Sequence, residues 1–335
     1  MKIIVRAPNW IGDAVLSVPS IESLSKNFPR AQIWVAATEW VKDLFTSYDF
    51  IKGVVSLSDL NTLKGIRNSA QNLKKSRFET GVLLTNSFSS AFLFYLAKIP
   101  ERWGYVRDGR GLLLTRGVSP KGQGKLSHQL NYYLELISGL SLKTYPPEIS
   151  LPLTQDEMSQ AKERLLSLNV DLGKPLVLLN PGASYGPAKR WPASRFAELA
   201  SLYQQRKNVE ILIIGSSDES ELAESIVSSM PKKPLSLVGK TSLRLLAGLI
   251  SHAALFITND SGPMHLANAL KIPVTAIFGP TDPRLTGPFQ EPAVVLKKDV
   301  PCWPCSYREC PFDHGCMRKI GPEEVFEAGQ KFLSL

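Results

Sequence analysis

The sequence predicts an α/β protein built from two parallel-sheet domains of similar size, facing each other across a cleft. Short apolar runs alternate with helical patterns along nearly the whole chain. A break over residues 145–152, opening with Tyr145-Pro146-Pro147, suits neither helix nor strand and reads as the interdomain linker. In the second half, four strands lead into small or polar turns before helices, as a nucleotide site across a parallel sheet requires. With 335 residues, 44% of them hydrophobic, the chain can build two ordinary cores.

In the first half, a strand over 2–5 leads through Asn9-Trp10-Ile11-Gly12-Asp13 into a helix from 14 onward, with Val15, Val18, Ile21 and Leu24 on one face. Asp13 falls at the helix start, either as an N-cap or as a carboxylate held at the strand's C-terminal edge. The glycine pattern of a dinucleotide fingerprint is absent here, which argues against an NAD site. Strands follow over 32–36, 53–57 and 80–84, with helices over 39–45 and 62–75. Thr85-Asn86-Ser87 forms another polar strand edge. Residues 88–96 hold Phe88, Phe92, Phe94 and Tyr95 and read as core packing. From 98 to 125 there are seven basic residues (Lys98, Arg102, Arg107, Arg110, Arg116, Lys121, Lys125) and six glycines, which suggests a mobile basic loop. A helix over 126–138 carries His128, read as structural.

The second half repeats the pattern. Helices are expected over 155–168, 194–206, 219–230, 243–251 and 262–270, and strands over 176–179, 210–214, 235–238, 254–257 and 274–278. The string Thr258-Asn259-Asp260-Ser261-Gly262-Pro263-Met264-His265 places a polar turn between a buried strand and a helix. Free backbone N–H groups and the positive helix end there favour a phosphate, although Asp260 and Ser261 could equally cap the helix. A closing helix covers 322–333.

The formal charge of +9 implies an anionic partner. No zinc-finger spacing, RNP-type aromatic motif or Arg-rich helix supports nucleic acid. Lys2 opens directly into a strand and no apolar run approaches ~20 residues, so a soluble, cytoplasmic protein is expected. Cys302, Cys305, Cys310 and Cys316 follow a C-x2-C-x4-C-x5-C spacing around His314. They are candidates for a structural zinc, set against reduced thiols in an ordered loop.

Five strings together resemble the lipopolysaccharide heptosyltransferases, and among them most nearly the second heptosyltransferase type. They are NWIGDAVLSVPSI (9–21), LLTNSFSSA (83–91), NPGASYGPAKRWP (180–192), TNDSGPMHLANAL (258–270) and FGPTDP (278–283). The resemblance implies a GT-B architecture of two Rossmann-like domains. Residues 1–153 would bind the acceptor, 154–321 the donor nucleotide sugar, and 322–335 would form a C-terminal helix. It also implies inverting transfer of heptose from ADP-heptose to the acidic, phosphorylated inner core of lipopolysaccharide, with no metal required. The work would occur in peripheral contact with the cytoplasmic face of the inner membrane.

By the same resemblance Asp13 is the catalytic base and Lys189 the phosphate-binding lysine. Ser184, Lys189, Gly215, Ser216, Asp218, Thr241, Asp260, Ser261, Gly262 and His265 would serve the donor. Asn9, Gly12, Asn86, Ser87 and Arg107 would serve the acceptor. Two other readings remain at this stage: a related transferase or epimerase of the same fold acting on another nucleotide sugar, and a non-enzymatic nucleotide- or nucleic-acid-binding module.

Overall fold

The computed structural model describes residues 1–120 and 127–333. The chain forms two compact units, Met1–Pro152 and Leu153–Leu335.

The first unit contains β1 (Lys2–Arg6), α1 (Ile11–Asn27), β2 (Gln32–Thr38), β3 (Gly53–Leu57), α2 (Leu63–Lys75), β4 (Thr80–Leu83), α3 (Phe88–Leu96), β5 (Glu101–Tyr105), β6 (Arg116–Val118) and α4 (Gln129–Gly139). All six strands are parallel, in the order β3-β2-β1-β4-β5-β6. Central β1 is buried on both faces, with Val5 between Val35 of β2 and Val82 of β4. Continuous apolar strands of this kind are what a sheet covered on both sides requires. α1 packs on α4, and α2 on α3. Under α2 and α3, Ile4, Ala36, Leu83, Phe94 and Ile99 close the core.

The second unit contains α5 (Gln155–Ser167), β7 (Leu176–Asn180), α6 (Ala193–Arg206), β8 (Glu210–Ile213), α7 (Ser220–Ser229), β9 (Leu235–Ser236), α8 (Leu243–Ser251), β10 (Leu255–Asn259), α9 (Gly262–Ala269), β11 (Val274–Phe278), α10 (Pro283–Thr286), β12 (Ala293–Lys297), α11 (Gly315–Arg318) and α12 (Pro322–Gln330). Its strand order, β12-β11-β10-β7-β8-β9, repeats that of the first unit. In each sheet the order reverses beside the first strand, between β1 and β4 and between β7 and β10. Ligands of open α/β sheets bind outside the strand ends at such switch points. The closing helix α12 belongs to this unit: Tyr203 of α6 donates to the Phe326 carbonyl at 3.4 Å, and their rings lie 4.8 Å apart.

Several expectations are corrected. Only a 3₁₀ turn, Lys42–Phe45, occupies the stretch read as a helix over 39–45, because β2 continues to Thr38 and leaves little chain before β3. The stretch read as a mobile basic loop holds β5, β6 and the 3₁₀ turn Arg110–Leu113. Its arginines are largely structural. Arg110 is fully buried and donates to the carbonyls of Tyr105 and Thr85. Arg102 donates to the carbonyls of Leu113 and Ile99, and Arg116 to that of Leu140. Lys121 and Lys125 lie outside the described residues. The aromatic helix α3 is only half a core element, since Phe94 is buried while Phe88 and Tyr95 are about half exposed. A sixth strand of the second sheet, β12, was not anticipated. It lies at the sheet edge and is only partly buried, so its apolar signal is weak.

Candidate active site

At the end of β1 the chain enters α1 through a turn whose N-cap is Trp10, with no side-chain cap bond. Asp13 therefore stands inside the first helical turn and is not the N-cap. A carboxylate there is favoured by the helix dipole. Its Oδ1 accepts from the Tyr133 hydroxyl of α4 at 3.2 Å. Burial, and then the Asp13 charge, hold the Tyr133 hydroxyl well above the usual tyrosine range, so it remains a donor. Buried Gly12 precedes Asp13, and Asn9 is exposed on the same turn. Asn9 Oδ1 accepts from Arg6 at 2.5 Å. The Arg6 guanidinium is almost wholly buried and makes no ion pair among the described residues, and desolvation lowers its pKa to about 10.

Asn86 follows β4, the neighbour of β1, and its amide donates to the Tyr132 hydroxyl at 2.8 Å. Arg110 donates to Asn86 Oδ1 at 3.5 Å. Ser87 is the N-cap of α3, its hydroxyl accepting from Ser90 N–H. Arg107, just past β5, is exposed. The acceptor-side residues named from sequence thus occupy the C-terminal edges of three adjacent strands, β1, β4 and β5. Neighbouring Tyr132 and Tyr133 on α4 bond Asn86 and Asp13 respectively. That helix gave no sequence signal for this role, because tyrosines in a helical pattern look like packing.

In the second unit, two strand-end asparagines tie β7 to β10. Buried Asn180 donates to Thr258 Oγ1 at 2.9 Å and to Ser261 Oγ at 2.8 Å. Asn259 donates to the Pro181 carbonyl at 2.7 Å and accepts from Trp191 N–H at 3.0 Å. Ser261 is the N-cap of α9 by backbone, but its side chain makes no cap bond. Asp260 does not cap either. Its Oδ2 accepts from Lys189 Nζ at 2.5 Å and from Thr281 Oγ1 at 2.6 Å, and both Lys189 and Asp260 are buried. The open end of α9, starting at Gly262, accordingly keeps its dipole uncapped by side chains. His265 is buried on the same helix.

The other donor-side residues spread along the same sheet edge. Ser184 is exposed in the β7–α6 loop, Gly215, Ser216 and Asp218 follow β8, and Thr241 follows β9. Asp218 and Ser216 are exposed, whereas Glu219, not anticipated, is buried and accepts from Ser216 N–H at 2.8 Å. Gly182 lies against it: a Cβ there would fall 1.8 Å from the Glu219 carboxylate and displace it.

The cysteine loop buttresses the turn that carries Lys189. Ala188 N–H donates to the Arg308 carbonyl at 3.0 Å, His314 Nε2–H to the Ala188 carbonyl at 2.7 Å, and the Tyr185 hydroxyl to the Ser306 carbonyl at 2.6 Å. A Cβ at Gly186 would lie 2.4 Å from the Arg308 carbonyl oxygen, so only glycine permits this approach. Cys302, Cys305, Cys310 and Cys316 are free thiols lining one cavity of about 350 Å³. Burial, and then the neighbouring cysteines, push the Cys316 thiol up to about 11. Among the described residues, no three His, Cys, Asp or Glu side chains are placed to hold a metal ion.

Residues 66–315 match glycosyltransferase family 9 (heptosyltransferase). The chain belongs to that family. This family 9 glycosyltransferase is 31% identical to lipooligosaccharide heptosyltransferase 2 of Campylobacter jejuni subsp. jejuni serotype O:2, over 99% of its own length and 98% of the relative's. It is 30% identical to lipopolysaccharide heptosyltransferase 2 of Salmonella typhimurium, covering 89% of this chain and 88% of that one. The solved structure of E. coli ADP-heptose LPS heptosyltransferase II superposes with a TM-score of 0.87 at 26% identity, covering 100% of this chain and 99% of that one. The two-domain GT-B class expected from the resemblance is therefore the class of this family 9 protein. Among its described residues no helix is long and apolar enough to cross a membrane.

Proposed function

We propose that this protein is a heptosyltransferase of the second type, moving heptose from ADP-heptose to the inner core of lipopolysaccharide with inversion and without a metal. The observation that carries the reading is similarity, over 89–99% of the chain, to proteins named heptosyltransferase 2. The geometry supplies a chemistry to match.

In this reading Asp13 accepts the proton of the attacking acceptor hydroxyl, with Tyr133 fixing its carboxylate. The hydroxyl oxygen bonds to the anomeric carbon as the bond to the diphosphate oxygen breaks, and the electron pair leaves with ADP. Lys189 and the uncapped start of α9 face the charge that develops there. Fixed donors of this kind lower the barrier because they need no reorganisation during the reaction. Asp260 then serves to hold Lys189 in place. The exposed donor-side and acceptor-side residues named above would line the two substrates.

The acceptor would be an acidic glycolipid, and the net charge of +9 suits contact with the anionic cytoplasmic face of the inner membrane. The cysteine loop is proposed as a scaffold for the Lys189 turn, and zinc is not needed for the transfer.

The reading is tested by incubating the protein with ADP-heptose and a soluble inner-core acceptor bearing one heptose, with EDTA present, and weighing the product. A gain of one heptose is expected. Transfer only from another nucleotide sugar, or a strict need for Mg²⁺, would overturn the donor assignment or the metal-free mechanism respectively.

A further inference from the structure

Two of the largest exposed apolar side chains flank the turn that carries Asp13. Trp10 is 55% exposed at the start of α1, three residues before Asp13, and Trp40 is 61% exposed just past β2. β1 and β2 are hydrogen-bonded neighbours, with Arg6 opposite Ala36, so both indoles rise from one stretch of sheet edge. Neither packs against the core under α2 and α3. Leaving such area in water forgoes a sizeable hydrophobic gain, which is typical of a surface kept for a partner.

Trp40 is also fixed in place. Its Nε1–H donates to the Asn9 carbonyl at 2.7 Å, which spends the polar end of the indole and leaves the ring accessible. Asn9 is in turn held through Oδ1 by buried Arg6. Asn9 is itself exposed, and its side-chain amide carries N–H donors. An ordered apolar ring beside an amide donor and a carboxylate is a surface suited to a pyranose. The C–H face of such a sugar stacks on an aromatic ring while its edge hydroxyls take hydrogen bonds.

We propose that Trp10 and Trp40 form a stacking platform for the acceptor sugar ring whose hydroxyl Asp13 deprotonates. This rests on the function proposed above and adds to it the residues that seat the acceptor. The ring lies against the indoles, Asn9 donates to a hydroxyl at its edge, and the reacting hydroxyl points toward Asp13. The platform acts on acceptor affinity, not on the donor.

The test uses the full-length protein, ADP-heptose and a soluble, delipidated inner-core oligosaccharide, with Trp10→Ala, Trp10→Phe and Trp40→Ala. Trp10→Ala should raise the acceptor KM about three- to tenfold, the scale of one aromatic contact. Trp10→Phe should recover much of the loss, and Trp40→Ala should cost at least as much as Trp10→Ala because it also frees the Asn9 turn. Donor KM and melting temperature should stay near those of the unaltered protein. An unchanged acceptor KM in both alanine variants would overturn the platform. So would a loss confined to acceptor in anionic vesicles, which would make the tryptophans a lipid-surface anchor. Absence of heptose transfer by the unaltered protein would instead remove the proposed function on which the platform rests.

Discussion

At the residue scale, the second unit turns on one buried pair. Lys189 and Asp260 come from separate strand edges and meet at 2.5 Å with little solvent on either side chain. Removing one member strands a buried charge, whereas neutralising both need cost little. Lys189→Met alone should therefore destabilise the protein by about 3–5 kcal/mol, and Lys189→Met with Asp260→Asn by clearly less. Denaturant titration of the single and double variants measures this, and strictly additive losses would show the two residues to be independent. Both variants should bind ADP more weakly, since each removes the cation. The sequence marked Asp260 by its polar turn between strand and helix, and Lys189 through the family motif. Nothing in it joined them, because 71 positions separate them. Asn180 and Asn259 were read as turn residues following strands and not as cross-ties, although a buried polar side chain must find a partner. Tyr133 was silent for the same reason: its hydroxyl meets Asp13 across 120 positions.

At the element scale, the helices were legible where caps and periodicity agreed. α5 opens with a reciprocal capping box between Thr154 and Glu157, and α8 matches its expected bounds, Leu243–Ser251. Glu157 also pairs with Arg244 of α8 at 2.6 Å, joining the two helices. The Arg244 hydrogen bond, opposed by partial burial and helped by Thr154, lowers the Glu157 carboxyl to about 2. Its folded pKa thus lies below the unfolded value of roughly 4.3. The stability it contributes is fully present above that unfolded value and is lost as pH falls toward 2. Glu157→Gln should lower the melting temperature at pH 7, with the gap to the unaltered protein narrowing below about pH 4. A gap independent of pH would assign the effect to packing. The elements that misled were short or marginal. Edge strands β6 and β12 carry too few buried positions to alternate visibly, and the turn after β2 imitates a helix for one turn only.

At the scale of the whole molecule, two sheets with one strand order follow from a repeated strand–helix pattern that was plain in the sequence. The chain divides into its two units after Pro152, the last residue of the stretch read as a linker. Charge was less informative, because part of the basic stretch serves loop carbonyls, and replacing buried Arg110 would test folding before it tested any membrane contact. The central claim is that Asp13 acts as the base. Asparagine at this position keeps an oxygen to accept from Tyr133 and sits at a helix position that needs no cap, so the fold should persist. It loses the basic carboxylate, and general-base assistance is worth ~10²–10⁴ in rate. The most direct measurement is turnover of Asp13→Asn with ADP-heptose and saturating acceptor, alongside its melting temperature and ADP affinity. A fall in turnover of about 10²–10⁴, with stability and ADP binding nearly unchanged, is the predicted result. Near-normal turnover would contradict it and remove Asp13 from the mechanism.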